Sequence, residues 1–344
     1  MAHEDERNSA MASPLLPATQ IDQNCQDCCR VMFSPRCLLT VQSMHGVLLA
    51  IFAAILYSAA HYCMRLVQEV GGVGPLQTSF FINMGMSICI IPIIICKSIN
   101  IMGESHKERG ILITIAGLYT GSLLALVKAL ILGSIGNVTG ILRGTMPIVT
   151  PILSMIILRE SYKIVDGLVT LISICGILLM ARAPEIFGLE TQFEEVDSHE
   201  LSAYMLTVFA GTQMSLCVVL MRYSNENVLV TLCWISMFGS LSFSFFTIIF
   251  EIPKWAMDTE TALVIVGMII STLLGTVCRI KALHLIEATP VILLSNLQIV
   301  VAFLLQTYGL HDNPDFYSIL GAGVILLGGT ICAVNTWWRD YHHK

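Results

Sequence analysis

Charge is what this chain has least of. Only 12% of its residues are Asp, Glu, Lys or Arg, about half of what a soluble domain carries. Hydrophobic residues make up 55%, and the mean hydropathy is +0.77. The apolar residues are spread too evenly for a soluble domain with one anchor. Catalytic signatures are missing as well. There is no His-Glu-x-x-His, no Gly-x-Ser-x-Gly and no pair of intramembrane aspartates, so an enzyme is not expected. Without a Walker loop, an ATP-driven pump is excluded too. The net charge is −6, with the acids mainly in the tail and loops, which argues against nucleic acid as a partner.

The first stretch, residues 1–44, contains no apolar run, so no cleavable signal peptide is expected and the segment reads as a disordered cytosolic tail. It holds Cys25, Cys28, Cys29 and Cys37. A zinc site would need a second ligand pair with proper spacing, which is missing. Juxtamembrane palmitoylation is the better functional reading, beside no special role at all. No metal and no cofactor are expected.

What is there in abundance is apolar sequence of membrane-crossing length, roughly 20 residues at a time. Ten such segments lie at about 45–66, 76–96, 110–130, 138–158, 164–182, 201–221, 229–250, 261–281, 288–308 and 317–337. The acidic stretch 183–200 divides them five and five, giving halves at 45–182 and 201–338 and a short end at 339–344. The halves echo each other. Lys128-Ala129-Leu130 returns as Lys281-Ala282-Leu283 and Gly176 as Gly329, 153 positions on. Phe52, Ser58, Met64 and Arg65 return as Phe209, Ser215, Met221 and Arg222, 157 positions on. An odd number of spans per half forces the second half to insert upside down. The expected fold is therefore an all-α polytopic membrane protein of ten transmembrane helices in two inverted five-helix repeats.

Orientation follows from the loop cations. With both termini in the cytosol, that side carries thirteen Lys and Arg and the opposite side three. This predicts an N-in, C-in protein with 183–200 on the non-cytosolic side. Plasma membrane and endomembrane (ER or Golgi) are not distinguished.

Within the spans, cations are the anomaly. Lys128 and Arg143 flank a tight turn near Gly133–Asn137, about five and six residues from it. At roughly 1.5 Å per residue they share one depth across a helical hairpin. No carboxylate of that hairpin lies at that depth, and such charges in apolar segments usually mark a function. A bound anion is the simplest explanation, although Lys128 could also snorkel to water. Arg143 aligns with Asn296 in the second half, so Asn296 and Gln298 are expected to add hydrogen bonds. Lys281 repeats Lys128, but at a cytosolic span end, where topology alone also accounts for it, as it does for Arg279. The glycine runs 136–140–144 and 117–121 read as close-packing stripes.

Two passages carry a family resemblance: ILRGTMPIVTPILSMIILRESYKIVDGLVTLISICGILLMARAPEIFG in the first half, and ATPVILLSNLQIVVAFLLQ followed by GAGVILLGG in the second. Both resemble the EamA repeat of the drug/metabolite transporter superfamily, nearest to solute carrier family 35, subfamily G. The resemblance covers about 45–337. It implies two five-helix bundles around a central cavity and transport by alternating access.

Together these readings describe a secondary transporter or facilitative carrier of a small polar, anionic organic metabolite. Its partners are that solute and the lipid bilayer, with a homodimer left open. A nucleotide sugar is the alternative substrate class. A non-transporting membrane partner that regulates another membrane protein is the alternative from another class. The orientation is directly testable. In a cell-surface population, tags at both termini should bind antibody only after permeabilisation; labelling of either terminus on intact cells contradicts the loop-charge argument.

Overall fold

The computed structural model describes residues 35–69, 71–101, 105–132, 135–160, 164–180, 198–224, 226–309 and 316–342. The tail cysteines at 25, 28 and 29 and the acidic stretch up to residue 197 lie outside the described residues. Eleven helices follow one another: α1 (Pro35–Glu69), α2 (Pro75–Cys96), α3 (His106–Leu132), α4 (Ile135–Ile157), α5 (Ile164–Met180), α6 (Ser198–Ser224), α7 (Val228–Phe250), α8 (Thr259–Leu285), α9 (Ala288–Ser295), α10 (Leu297–Gly309) and α11 (Phe316–His342).

Eight of these are long and apolar enough to cross a membrane, and two shorter apolar stretches, Ile164–Leu179 and Ala288–Ala302, complete the ten expected segments. Helices are the outcome because lipid offers backbone groups no hydrogen-bond partner, so each segment must satisfy its own. Polar side chains follow the same rule. The hydroxyls of Thr78, Thr207, Ser215, Thr272, Thr276 and Thr336 each donate to the carbonyl four residues earlier.

The boundaries differ from expectation in three places. Helix α1 begins at Pro35, inside the segment read as tail, with its apolar stretch starting at Gln42. Helix α8 runs on to Leu285, four residues past the expected end at 281. The ninth span tightens at Asn296, between α9 and α10, where the backbone stays right-handed helical (φ −65°, ψ −22°) and the N–H donates to the Leu293 carbonyl (3.2 Å). There Ser295 Oγ donates to the Val291 carbonyl (2.7 Å), the kind of side-chain competition that bends helices. Ser58 of α1 donates to the Gln298 carbonyl just past Asn296 (2.8 Å).

The helices interlock between halves more than within them. The most extensive contacts are α1 with α8, α3 with α6, α2 with α7, α5 with α11, and α4 with α6. Exchanging the halves helix for helix turns α1–α8 into α6–α3 and returns α2–α7 and α5–α11 to themselves. It also turns α4–α6 into the contact of the α9–α10 span with α1, which is likewise extensive. This is the packing expected of two inverted repeats. Helices α3 and α4, adjacent in sequence, barely touch; both lean on α6. The expected Lys128–Arg143 hairpin is thus not a packed pair.

Small residues create close crossings, mostly at other positions than expected. A Cβ at Gly176 would meet Ile325 of α11 at 2.7 Å and the Gly321 carbonyl at 3.0 Å. Reciprocally, one at Gly328 would meet Ile172 and Ser173 of α5 at 3.3 Å. Gly117 and Gly144, by contrast, have nothing within 4 Å of such a Cβ. Gly121, of the same expected stripes, does pack, with a Cβ there meeting Gln213 of α6 at 3.4 Å.

At one end of the bundle, the link after α7 clamps the start of α2. The Glu251 carboxylate accepts from the Leu76 and Gln77 N–H groups, both at 2.9 Å, where the helix N-terminus favours negative charge. The Gln77 side chain pairs both ways with the Lys254 backbone, and Lys254 Nζ donates to the Gly71 carbonyl.

The two kinds of glycine should respond oppositely to substitution. Gly176→Leu overpacks a filled crossing and should cost about 1–3 kcal/mol, read as a lower melting temperature in detergent. Gly117→Ala meets open space and should leave stability unchanged or raise it by up to about 1 kcal/mol through helix propensity. Equal destabilisation by both would contradict the packing described.

Candidate functional site

Six helices send polar groups to the middle of the bundle. Helix α1 contributes Tyr57 and His61, one turn apart on the same face. Helix α8 contributes Thr276 and Arg279, at the three-residue spacing that again shares a face. Tyr119 comes from α3, Arg143 from α4, Cys217 from α6, and Gln298 from the start of α10.

Arg279 is the most enclosed cation of the group, at 8% exposure. Its guanidinium carbon sits 4.9 Å from the centroid of the Tyr57 ring, an attractive cation–π position. Tyr57 is itself anchored. Its hydroxyl lies 2.8 Å from Thr276 Oγ1, whose own proton goes to the Thr272 carbonyl, so Tyr57 is the donor. Arg279 also donates a hydrogen bond to the Tyr119 hydroxyl. Its Nε and Nη2 nevertheless have no partner.

Arg143 is enclosed by the bundle while part of its surface stays accessible. It lies close enough to Arg279 for the two to repel, with Tyr57 near both. Among the described residues, no carboxylate is a charged neighbour of either arginine. Among the described residues, Arg143 makes no hydrogen bond or ion pair. The position beside it, Gly144, faces open space.

The residues proposed from sequence separate into three groups. Arg143 lies in this centre. Asn296 is buried at 3% exposure, and its Nδ2 has no partner. Gln298, also buried, is already engaged: its amide nitrogen donates to His61 Nδ1 (2.5 Å). Lys128 and Lys281 are exposed, each between buried neighbours: Val127 and Ala129 for the first, Ile280 and Ala282 for the second. A helix shows one face to the core, and these lysines are on the other. They do not converge on Arg143.

Sequence reasoning passed over Tyr57 and set Arg279 aside as a topology marker. The cause is the boundary of α8. Ended at 281, the span makes Arg279 terminal; run to Leu285, it places Arg279 six residues inside, about 9 Å along the axis. The available signal was the Thr276-x-x-Arg279 spacing, which puts a hydroxyl and a cation on one face.

A second polar cluster joins the halves at the bundle end where α4, α6, α8 and α9 meet. Arg159 adopts the left-handed region (φ 56°), turning the chain just past α4. Glu160 then lies 3.5 Å from Arg222 Nε of α6 and accepts from the Ala288 N–H at the start of α9 (3.3 Å). Arg222 also donates to the Leu283 carbonyl of α8. Burial raises the Glu160 pKa, and Glu287 adds to the rise. The Ala288 N–H and Arg222 oppose it.

Known proteins share this architecture. The family model described as the EamA-like transporter family matches residues 44–182 and 201–333, one copy per half. Solute carrier family 35 member G1 of Mus musculus is 24% identical over 299 residues, spanning 85% of this chain and 79% of that protein. Its Homo sapiens counterpart is 23% identical over 302 residues, spanning 86% and 80%. One solved crystal structure aligns with a TM-score of 0.71 at 14% identity, covering 84% of this chain and 97% of its own, a likeness of fold alone.

The Glu160 cluster yields a pH prediction. A carboxyl that binds its proton more readily when folded adds stability below the ordinary range near about 4.3, and that contribution is lost as pH rises through its elevated pKa. Glu160→Gln should remove this dependence while keeping an acceptor for Ala288. On acidification from pH ~7.5 to ~4.5, the melting temperature of the native protein should therefore gain on that of the variant. A gap that stays constant, or moves the other way, contradicts the raised pKa.

Proposed function

The chain belongs to the EamA-like transporter family, and from that premise we propose that it carries a small organic anion across the membrane by alternating access, with Arg143 as the principal charge contact. Transport of small solutes across a membrane follows from the family and from the solute-carrier relatives.

The observation that carries it is Arg143 itself. An unpaired guanidinium enclosed by apolar helices costs from a few to ten or more kcal/mol, roughly, depending on local water. Here a like charge, Arg279, adds repulsion, and no carboxylate among the described residues relieves it. Part of the Arg143 surface stays accessible, so water or a ligand can reach this charge. A planar guanidinium is also well suited to gripping a carboxylate or phosphate through two parallel hydrogen bonds. The buried, unpartnered Asn296 amide nitrogen supplies a neutral donor from the other half. Gln298 acts through His61, which it holds, and the exposed Lys128 and Lys281 fall outside this site.

Secondary transporters built on repeats place their substrates between the repeats, and Arg143 and Asn296 come from opposite halves. The exchange-symmetric helix contacts permit one half to rock against the other about that site. Both termini lie in the cytosol on this reading, as the loop charges require.

Uptake into vesicles reconstituted with the pure protein, across organic acids and nucleotide sugars, tests the proposal. Arg143→Gln should abolish uptake while the protein still reaches its membrane, and Arg143→Lys should restore only part. Asn296→Ala removes one neutral hydrogen bond, about 0.5–1.5 kcal/mol, and should weaken apparent affinity several-fold. Normal uptake by Arg143→Gln refutes the anion site. Uptake of nucleotide sugars alone would assign the alternative substrate class.

A further inference from the structure

We propose that Arg279 is a second substrate-binding cation, and that the site selects organic anions carrying at least two negative charges, one engaged by an arginine from each half. This rests on the anion reading of Arg143 and deepens it.

The argument starts from the unused hydrogen-bonding capacity of Arg279. A guanidinium has five N–H donors in a fixed plane. In a group 8% exposed, Nε and Nη2 have no partner. Buried donors left unmade are costly, more so when charged. A purely structural arginine at this depth would be expected to spend those donors on carbonyls or a carboxylate. Arg279 instead spends one on Tyr119 and rests its face on Tyr57, both neutral, so its positive charge is supported but not cancelled.

The support also fixes direction. The Tyr57 ring lies against the guanidinium, and the Tyr57 hydroxyl is tied through Thr276 to the backbone of α8 itself. Tyr57 is therefore a positioning residue. It holds the Arg279 guanidinium in place while its Nε and Nη2 stay buried and unpartnered among the described residues.

The second cation matters because of where the first one is. Arg143 comes from α4 in the first half and Arg279 from α8 in the second, near enough to repel. A single negative charge would neutralise one guanidinium and leave the other uncompensated in a low-dielectric interior. Two acidic groups on one solute neutralise both and turn the repulsion into a bridge between halves. The same bridge would make binding sensitive to how the halves are disposed, as a carrier requires.

The test uses full-length protein in vesicles and probes matched in carbon frame: succinate against butyrate, and nucleoside diphosphates against nucleosides. Anions with two or more charges should be taken up at least ten-fold faster than their singly charged or neutral mates. Arg279→Gln should lower that uptake ten-fold or more, Arg279→Lys should recover part, and Tyr57→Phe should raise KM several-fold with little change in kcat. Monodisperse elution and a melting temperature near that of the native protein separate these effects from misfolding. If Arg279→Gln misfolds, the Lys variant and the native matched-pair ratios decide. Equal uptake of butyrate and succinate, or undiminished dianion uptake by Arg279→Gln, overturns this proposal and leaves the Arg143 reading standing if Arg143→Gln is still inactive. If the native protein takes up no anion of any charge, both readings fail.

Discussion

Two guanidinium groups repel each other in the middle of this bundle, and lipid-facing helices surround them. Among the described residues neither has a carboxylate as a charged neighbour, so the surrounding groups must make the arrangement tolerable. Tyr57 and Tyr119 supply π-electron density and a hydroxyl to Arg279, while Arg143 stays partly accessible. A folded protein seldom keeps such a centre for stability, because replacing the charges by packed apolar groups would cost less. Under the proposed function, the centre is half of an interaction whose other half is the solute.

The rest of the architecture serves that centre. Each half contributes helices to the other's packing: α1 lies on α8 and α6 on α3. The arginines consequently arrive from opposite halves. Reciprocal glycine seats at Gly176 and Gly328 let α5 and α11 cross closely at the periphery. Clamps at the ends, Glu251 on the start of α2 and Glu160 on Arg222 and the start of α9, join the halves where the chain turns. Carboxylates thus occur where helix N-termini and cations at the ends can satisfy them, while the interior keeps its positive charge.

Placing the polar groups also explains a division of labour that composition alone would blur. Gln298 and His61 satisfy each other, and Ser58 donates to the Gln298 carbonyl. These contacts hold the ninth span in place. Asn296, one residue past the end of α9, is left with a buried free donor. Neighbours in sequence therefore differ sharply in what they can offer a ligand.

The sequence by itself determined the class, the number of spans and the doubling of the chain, because each depends on a property summed over many residues. Twenty-residue apolar runs report bilayer thickness, and a five-and-five division forces inversion. It also determined that Arg143 was exceptional, since a charge deep in an apolar run needs no coordinates to be noticed. What it could not determine was which cations share a space. Lys128 and Lys281 matched across the repeats, yet both face outward, because a helix turns 100° per residue and the facing depends on neighbours distant in sequence. Glycine spacing likewise suggested packing at Gly117 and Gly144, where the tertiary structure leaves room instead. Only the fold brought Arg279 from the apparent end of a span to a place beside Arg143. It did so by prolonging α8 to Leu285 and laying that helix against α1, where Tyr57 meets it.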